Sequence, residues 1–200
     1  MPMTFDHWLI TLAGAPPDLG GAPLLAAVVV ARWAVFLGPA LLAALWIGGD
    51  AEDRRVAVAA ALSGGAALVA AASLSAIVFE PRPFMDGPAR NYLDHVRDSG
   101  FPSDHATLLF ALAFSLRLRP PPRLPRIWIA VLVLAAAVGW ARVFFGTHYP
   151  VDIAGAALVA ATAALLVARP WGRTATERVA QLCETSSERL LAMVRLRKTG

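Results

Sequence analysis

Three short polar clusters interrupt a chain that is otherwise strongly apolar. In chain order they contain Glu80 and Arg82, then Ser103, Asp104 and His105, and finally Arg142, His148 and Asp152. Transfer of a phosphoryl group requires such side chains, because the charge of the phosphate oxygens must be neutralised and the leaving group protonated. The clusters therefore predict phosphate chemistry, provided that the fold brings them together.

The basic and hydroxyl side chains are suited to binding the phosphate. Arg82 and Arg142 each offer a planar fork of N–H donors to phosphate oxygens. Ser103 directly precedes an apolar run, so its hydroxyl is expected at a helix N-terminus, beside free backbone N–H groups.

The histidines are suited to bond cleavage, because imidazole changes its charge near neutral pH. His148 lies four residues before Asp152, so the carboxylate is one helical turn away and can fix the tautomer of the ring. His105 is then free to protonate the departing oxygen. The acidic Glu80 and Asp104 are accessory candidates that neutralise nearby arginines.

The composition points to a membrane protein. Of the 200 residues, 58% are hydrophobic and 16% are charged, and the mean hydropathy is +0.59, whereas soluble domains are about 45–50% apolar. The net charge of +4 comes almost entirely from arginine in loops and in the tail. That distribution is a signal of membrane topology and does not indicate a nucleic-acid-binding face. The single cysteine, Cys183, excludes an internal disulfide.

The apolar runs predict an all-α fold, a polytopic helical bundle in one domain covering residues 1–200, with a core at 22–168. Its five membrane-spanning helices are expected at about 22–47, 56–79, 103–119, 127–144 and 151–168. Residues 5–12 predict a short interfacial helix. Residues 174–197 predict a basic amphipathic helix on the membrane surface, whose apolar face includes Val179 and Leu182, with a solvated tail as the alternative. Arg32, inside the first span, is expected either to snorkel or to meet a carbonyl within the bundle, in preference to contacting a substrate.

Five crossings place all three polar clusters on the same side of the membrane. Of the 18 Lys and Arg residues, 13 fall on the opposite side, in the loops at 48–55 and 117–126 and in the tail. The positive-inside rule makes that side cytoplasmic. The clusters are therefore expected on the outer face of the membrane.

Arg82-Pro83, then Pro102-Ser103-x-His105, then Arg142-x5-His148-x3-Asp152 resemble the three-part signature of the type 2 phosphatidic acid phosphatase superfamily. The resemblance implies a helical membrane phosphatase in which His148 attacks phosphorus and forms a phosphohistidine. It implies that Asp152 orients His148, that His105 is the general acid, and that Arg82, Ser103 and Arg142 bind the phosphate. It also implies that neither a metal nor another cofactor takes part.

Within that superfamily, the Pro-Ser-Asp-His form, the stretch around Glu80 and the short five-span layout are similar to the bacitracin-resistance type of undecaprenyl-diphosphate phosphatases. The similarity implies a polyprenyl diphosphate lipid as substrate, undecaprenyl phosphate as product, and a role in recycling the lipid carrier of cell-wall synthesis. One position departs from the superfamily pattern, since Ser75 stands where a lysine is usual. Glu80, which lies nearby, is expected either to pair with Arg82 or to meet the second phosphate of a diphosphate. Two alternatives stay open: a phosphatase of another lipid, such as phosphatidic acid or phosphatidylglycerol phosphate, and a transporter or other non-enzymatic membrane protein with a degenerate site.

Overall fold

The computed structural model describes residues 5–16, 19–87 and 89–198, and all regular secondary structure in these ranges is helical. The helices are α1 (Phe5–Ala13), α2 (Gly21–Arg32), α3 (Leu37–Gly48), α4 (Ala51–Ile77), α5 (Pro83–Asp86), α6 (Asp104–Leu118), α7 (Ile127–Phe144), α8 (Pro150–Val167) and α9 (Pro170–Lys198). This architecture confirms the predicted all-α fold class and the short helix near the N-terminus.

Four helical stretches in the described ranges are long and apolar enough to cross a membrane, namely Gly21–Gly48, Ala51–Ile77, Ile127–Phe144 and Pro150–Val167. They correspond to four of the five predicted spans. The first of them is not one straight helix, because a 3-10 turn at Ala34–Phe36 separates α2 from α3. Arg32, at the end of α2, donates from Nη2 to the Leu93 carbonyl at 2.6 Å. The predicted contact of Arg32 with a backbone carbonyl is thereby confirmed.

The remaining predicted span, at about 103–119, corresponds to the central helix α6. It has 15 residues, so it is only about 22 Å long, which is less than the roughly 30 Å of a bilayer's hydrocarbon core. Its two ends nevertheless reach opposite ends of the bundle. His105 contacts Arg142 of α7 at 3.1 Å, and Arg119, just after α6, pairs with Glu52 of α4 at 2.8 Å. Because α4, α7 and α8 pack around it, α6 runs the length of the bundle among protein neighbours.

Small residues allow the helices to approach α6 closely. The buried face of α4 carries Ala60, Gly64, Ala67 and Ala71 at helical spacing. A Cβ at Gly64 would lie 2.9 Å from Cδ1 of Leu108, so the contact between α4 and α6 depends on a missing side chain. Close packing of this kind is how helices associate where lipid supplies no hydrophobic drive.

The ends of the bundle differ in character, as the predicted topology requires. At one end, α1 lies beside the three polar clusters, and the Ala15 N–H donates to the Phe144 carbonyl at 2.7 Å. At the other end, Arg119 pairs with Glu52 and with Glu177, which ties α4, the loop after α6 and α9 together.

The C-terminal helix α9 begins earlier than the predicted tail. The face of α9 that packs on the bundle is not the predicted apolar face. Gly172, Thr176 and Ala180 of α9 are buried, and α9 contacts α4 and α8. Leu182, predicted on the apolar face, is 68% exposed. The reason is that small residues spaced four apart allow closer packing than the larger side chains next to them.

Candidate active site

The three polar clusters converge on one cavity of about 410 Å³ at the end of the bundle where α4 ends and α6 begins. Its wall includes Arg82, Asp104, His105, Arg142 and His148. Arg82 precedes α5, Ser103 and His105 lie at the start of α6, Arg142 is in the last turn of α7, and Asp152 is in the first turn of α8. Helix ends therefore supply most of the site, and residues distant in sequence meet there because these ends are adjacent.

Arg82 is 5% exposed and almost fully occupied by protein partners. Its Nε donates to Oδ1 of Asp98 at 2.8 Å, Nη1 donates to the Thr147 carbonyl at 2.9 Å, and Nη2 donates to the Ser99 carbonyl at 3.0 Å. Nη1 also lies 3.1 Å from Nε2 of His148. The predicted pairing of Arg82 with Glu80 is wrong: Glu80 is exposed, and the carboxylate that Arg82 meets belongs to Asp98.

The contacts of His148 determine its tautomer. A guanidinium can only donate, so Nε2 of His148 accepts from Arg82, and Nδ1 must carry the ring hydrogen. Nδ1 lies 2.8 Å from the Gly100 carbonyl and 3.4 Å from Oδ2 of Asp152. Burial, followed by the charges of Arg82 and Arg142, holds the pKa of His148 well below its ordinary value. The ring is therefore neutral, with its lone pair on Nε2.

Asp152 has a second contact besides His148. Its Oδ2 accepts the Tyr149 backbone N–H at 2.8 Å and so caps the start of α8. The side chain is 1% exposed and is not part of the cavity wall. Asp152 lies behind His148, where the predicted orienting group would be, and the Gly100 carbonyl contacts the same ring nitrogen at a shorter distance.

Arg142 and His105 form the other half of the site. Nη2 of Arg142 lies 3.1 Å from Nδ1 of His105, so Nδ1 accepts and Nε2 of His105 carries the hydrogen. Arg142 is 4% exposed, and its Nε is buried without a partner among the described residues. The Ser103 hydroxyl is likewise buried and unpaired there. A buried unpaired polar group costs about 1–3 kcal/mol, and an oxyanion with its several lone pairs could satisfy both.

Two side chains of the cavity wall, His95 and Asp98, were not found by sequence reasoning. Both lie in the long polar loop between α5 and α6, where no spacing singles them out. Ser75 also lines the cavity, and its hydroxyl donates to the Phe101 carbonyl at 2.7 Å. The residue that departs from the superfamily pattern therefore holds the backbone just before Pro102 and Ser103.

Known proteins resemble this chain across the helices that form the site. Residues 54–174, from α4 into α9, match the sequence profile of the PAP2 superfamily. The chain belongs to the PAP2 superfamily. The resemblance drawn from the three clusters is thus confirmed, and with it the class of enzyme, a phosphatase with several membrane-embedded helices.

Two curated proteins and one solved structure are similar to this chain. The putative undecaprenyl-diphosphatase YbjG of Escherichia coli is 29% identical over 75% of this chain and 74% of its own length. The undecaprenyl-diphosphatase BcrC of Bacillus subtilis is 30% identical over 66% of this chain and 67% of its own. The crystal structure of Aquifex aeolicus LpxE superimposes with a TM-score of 0.66 over 82% of this chain and 95% of that one, at 18% identity. That last similarity supports the fold alone.

Proposed function

We propose that this PAP2 phosphatase removes the terminal phosphate of undecaprenyl diphosphate and releases undecaprenyl phosphate and inorganic phosphate. The observation that carries the proposal is the state of His148, which is neutral and has its lone pair on Nε2 at the cavity. The names of two relatives, YbjG and BcrC, support the choice of substrate.

The proposed first step uses His148 and His105. Nε2 of His148 attacks the terminal phosphorus, and the bond from that phosphorus to the bridging oxygen breaks. The electron pair goes to the bridging oxygen, which takes a proton from Nε2 of His105 in its imidazolium form. The charge of the bound diphosphate favours that form once Arg142 has turned from Nδ1 of His105 to the phosphate, and the ring is left neutral. A phosphohistidine and the lipid monophosphate result. Water, deprotonated by His105, then attacks the phosphohistidine, so that inorganic phosphate leaves and both rings return to their starting state.

The phosphate oxygens are assigned to Arg82, Ser103 and Arg142. The unpaired Nε of Arg142 and hydroxyl of Ser103 have donors to offer. Arg82 contributes the Nη1 N–H that now contacts His148, which a phosphate oxygen would take over when the substrate displaces that contact. Asp104, which directly precedes His105 and also lines the cavity, reduces the positive charge that Arg82 and Arg142 bring to the site.

The positive-inside distribution supports a site on the periplasmic face of a bacterial inner membrane, since 13 of the 18 Lys and Arg residues belong to the opposite side. In this arrangement residues 22–168 form the catalytic core and residues 174–197 form a cytoplasmic tail. A substrate whose tail lies in the bilayer can then present its diphosphate to the cavity from the outer leaflet. The biological role would be recycling of the lipid carrier, with bacitracin resistance as a consequence.

The test is phosphate release by the detergent-purified protein from undecaprenyl diphosphate and, in parallel, from phosphatidic acid. We expect faster release from the diphosphate and none from either lipid with His148→Ala. A preference for phosphatidic acid would move the enzyme to phospholipid metabolism. Equal background release by wild type and variant would mean that the site is degenerate.

A further inference from the structure

The cavity offers few free donors to a ligand with two phosphates. A terminal phosphate carries a charge of about −1.5 to −2 at pH 7, and the second phosphate adds to it. Three of the contacts of Arg82 go to Asp98, Ser99 and Thr147. The Ser75 hydroxyl is also taken, by the Phe101 carbonyl. Arg142 and Ser103 are needed for the phosphate that is transferred, so the retained phosphate requires another partner.

His95 is a further nitrogen-bearing side chain on the cavity wall. It is 22% exposed, and its backbone is held in place by the Asn91 side chain. Oδ1 of Asn91 accepts the His95 N–H at 2.9 Å, while its Nδ2 donates to the His95 carbonyl at 2.9 Å. A closed turn of this kind keeps the imidazole at the cavity, although it belongs to a loop.

The orientation of the His95 ring leaves one nitrogen for a ligand. Nδ1 lies 3.3 Å from the Val96 carbonyl and 3.7 Å from Oδ1 of Asp98, so it faces oxygen acceptors of the protein. Nε2 has no hydrogen-bond partner among the described residues. Burial and then the charge of Arg82 lower the pKa of His95, and a bound diphosphate would oppose Arg82 and favour the protonated ring. Protonated His95 would donate from Nε2 to a phosphate oxygen.

We infer that His95 binds the phosphate that stays on the lipid and so makes the enzyme prefer diphosphate over monophosphate lipids. This inference rests on the function proposed above. When the bond to the bridging oxygen breaks, negative charge grows on the retained phosphate, and a donor aimed at that phosphate stabilises the transition state more than the ground state. A monophosphate lipid has no such group and gains nothing from His95.

The experiment compares a prenyl diphosphate with the prenyl monophosphate of the same chain length. For each, kcat/KM is measured with wild type, His95→Ala, His95→Gln and Arg97→Ala. The ratio of the diphosphate value to the monophosphate value should fall at least about tenfold in His95→Ala, as expected for a lost hydrogen bond to a charged group. It should fall at least about threefold in His95→Gln, because a neutral donor is weaker than a charged one. Arg97 is exposed in the same loop and does not line the cavity, so Arg97→Ala should leave the ratio unchanged.

The outcomes separate the two proposals. If wild type cleaves the diphosphate and both His95 variants keep the wild-type ratio, or lose both activities equally, the role of His95 is structural and the inference is wrong. If wild type cleaves only the monophosphate, the proposed function itself fails. Should His95→Ala not fold, His95→Gln decides, because it keeps a polar side chain of similar length in the turn.

Discussion

His148 shows how contacts from distant residues set the chemistry of a single side chain. Its Nδ1–H is held by the Gly100 carbonyl at 2.8 Å and, at the longer distance of 3.4 Å, by Asp152. Because two acceptors contact Nδ1, removal of one of them should leave the tautomer unchanged. The expected order of activity losses among variants of the site therefore differs from the order expected for a triad with one orienting carboxylate.

We expect His148→Ala to abolish turnover and His105→Ala to slow it by about 10²–10⁴-fold, the usual contribution of a general acid. Asp152→Asn should cost less than the roughly 10⁴-fold that follows when the correct tautomer is lost, because Gly100 still holds Nδ1. Steady-state phosphate release from the three variants checks the order. A loss in Asp152→Asn as complete as that in His148→Ala would contradict the assigned role of Gly100.

The pH dependence follows from the surroundings of the same ring. The pKa of His148 lies well below its ordinary value. In the proposed mechanism the neutral ring is the nucleophile, so the acidic limb of kcat/KM should lie well below that ordinary value. Arg82→Gln removes a nearby positive charge and therefore raises the pKa of His148, which shifts the acidic limb to higher pH in addition to lowering the rate. Arg97→Gln, in the exposed part of the loop, serves as control and should not move the limb; an unshifted limb in Arg82→Gln would disprove the electrostatic account.

At the scale of elements, the contact between α8 and the segment before α6 positions the second cluster. Gly155 of α8 lies against the ring of Phe101, and a Cβ built on Gly155 would overlap Cε2 of that ring and lie 2.6 Å from its Cζ. Phe101 directly precedes Pro102 and Ser103. A side chain at this point of α8 would therefore displace the backbone that carries Ser103.

We expect Gly155→Ala to destabilise the protein by about 1–3 kcal/mol through overpacking and to reduce phosphatase activity. The matched control is Gly65→Ala in α4, where a Cβ meets nothing within 4 Å; it should be neutral or stabilising by up to about 1 kcal/mol, since alanine is the better helix former. Thermal unfolding in detergent, together with phosphate release, measures both. The packing argument fails if the two variants behave alike.

At the scale of the whole molecule, the bundle separates a catalytic end from an end held by ion pairs. Arg119, Glu52, Glu177 and Arg55 link α4 to α9 at the second end, and the pair between Arg55 and Glu177 is 2.7 Å long. Cys183 is exposed on α9, close to these pairs in sequence. Because it is the chain's one cysteine, it offers a natural probe of which end faces the cytoplasm.

A membrane-impermeant maleimide should label Cys183 only after the cells are opened, because the topology proposed from the positive-inside distribution has α9 in the cytoplasm. In a Cys183→Ser background, Arg97→Cys, at the catalytic end, should be labelled in intact spheroplasts. The reverse pattern would overturn the proposed periplasmic site. Retained phosphatase activity in both variants serves as the control for a native fold.

Features that depend on periodicity or on neighbouring residues were predictable from the sequence. Four of the five spans and the superfamily signature follow from hydropathy and from residues a few positions apart. These are local or periodic properties, and neighbouring residues carry them whatever the rest of the fold does.

Only the tertiary structure decided how the groups are paired at the site. The pairing of Arg82 with Asp98 in place of Glu80, the Gly100 carbonyl at His148, and the position of His95 on the cavity wall all depend on the path of the loop between α5 and α6. That loop has no periodic pattern, and its course is fixed by contacts such as the two between Asn91 and His95 and the one between Arg82 and the Ser99 carbonyl. The sequence by itself determined which groups are available for phosphate chemistry, and the packing of the helix ends against this loop determined which of them meet.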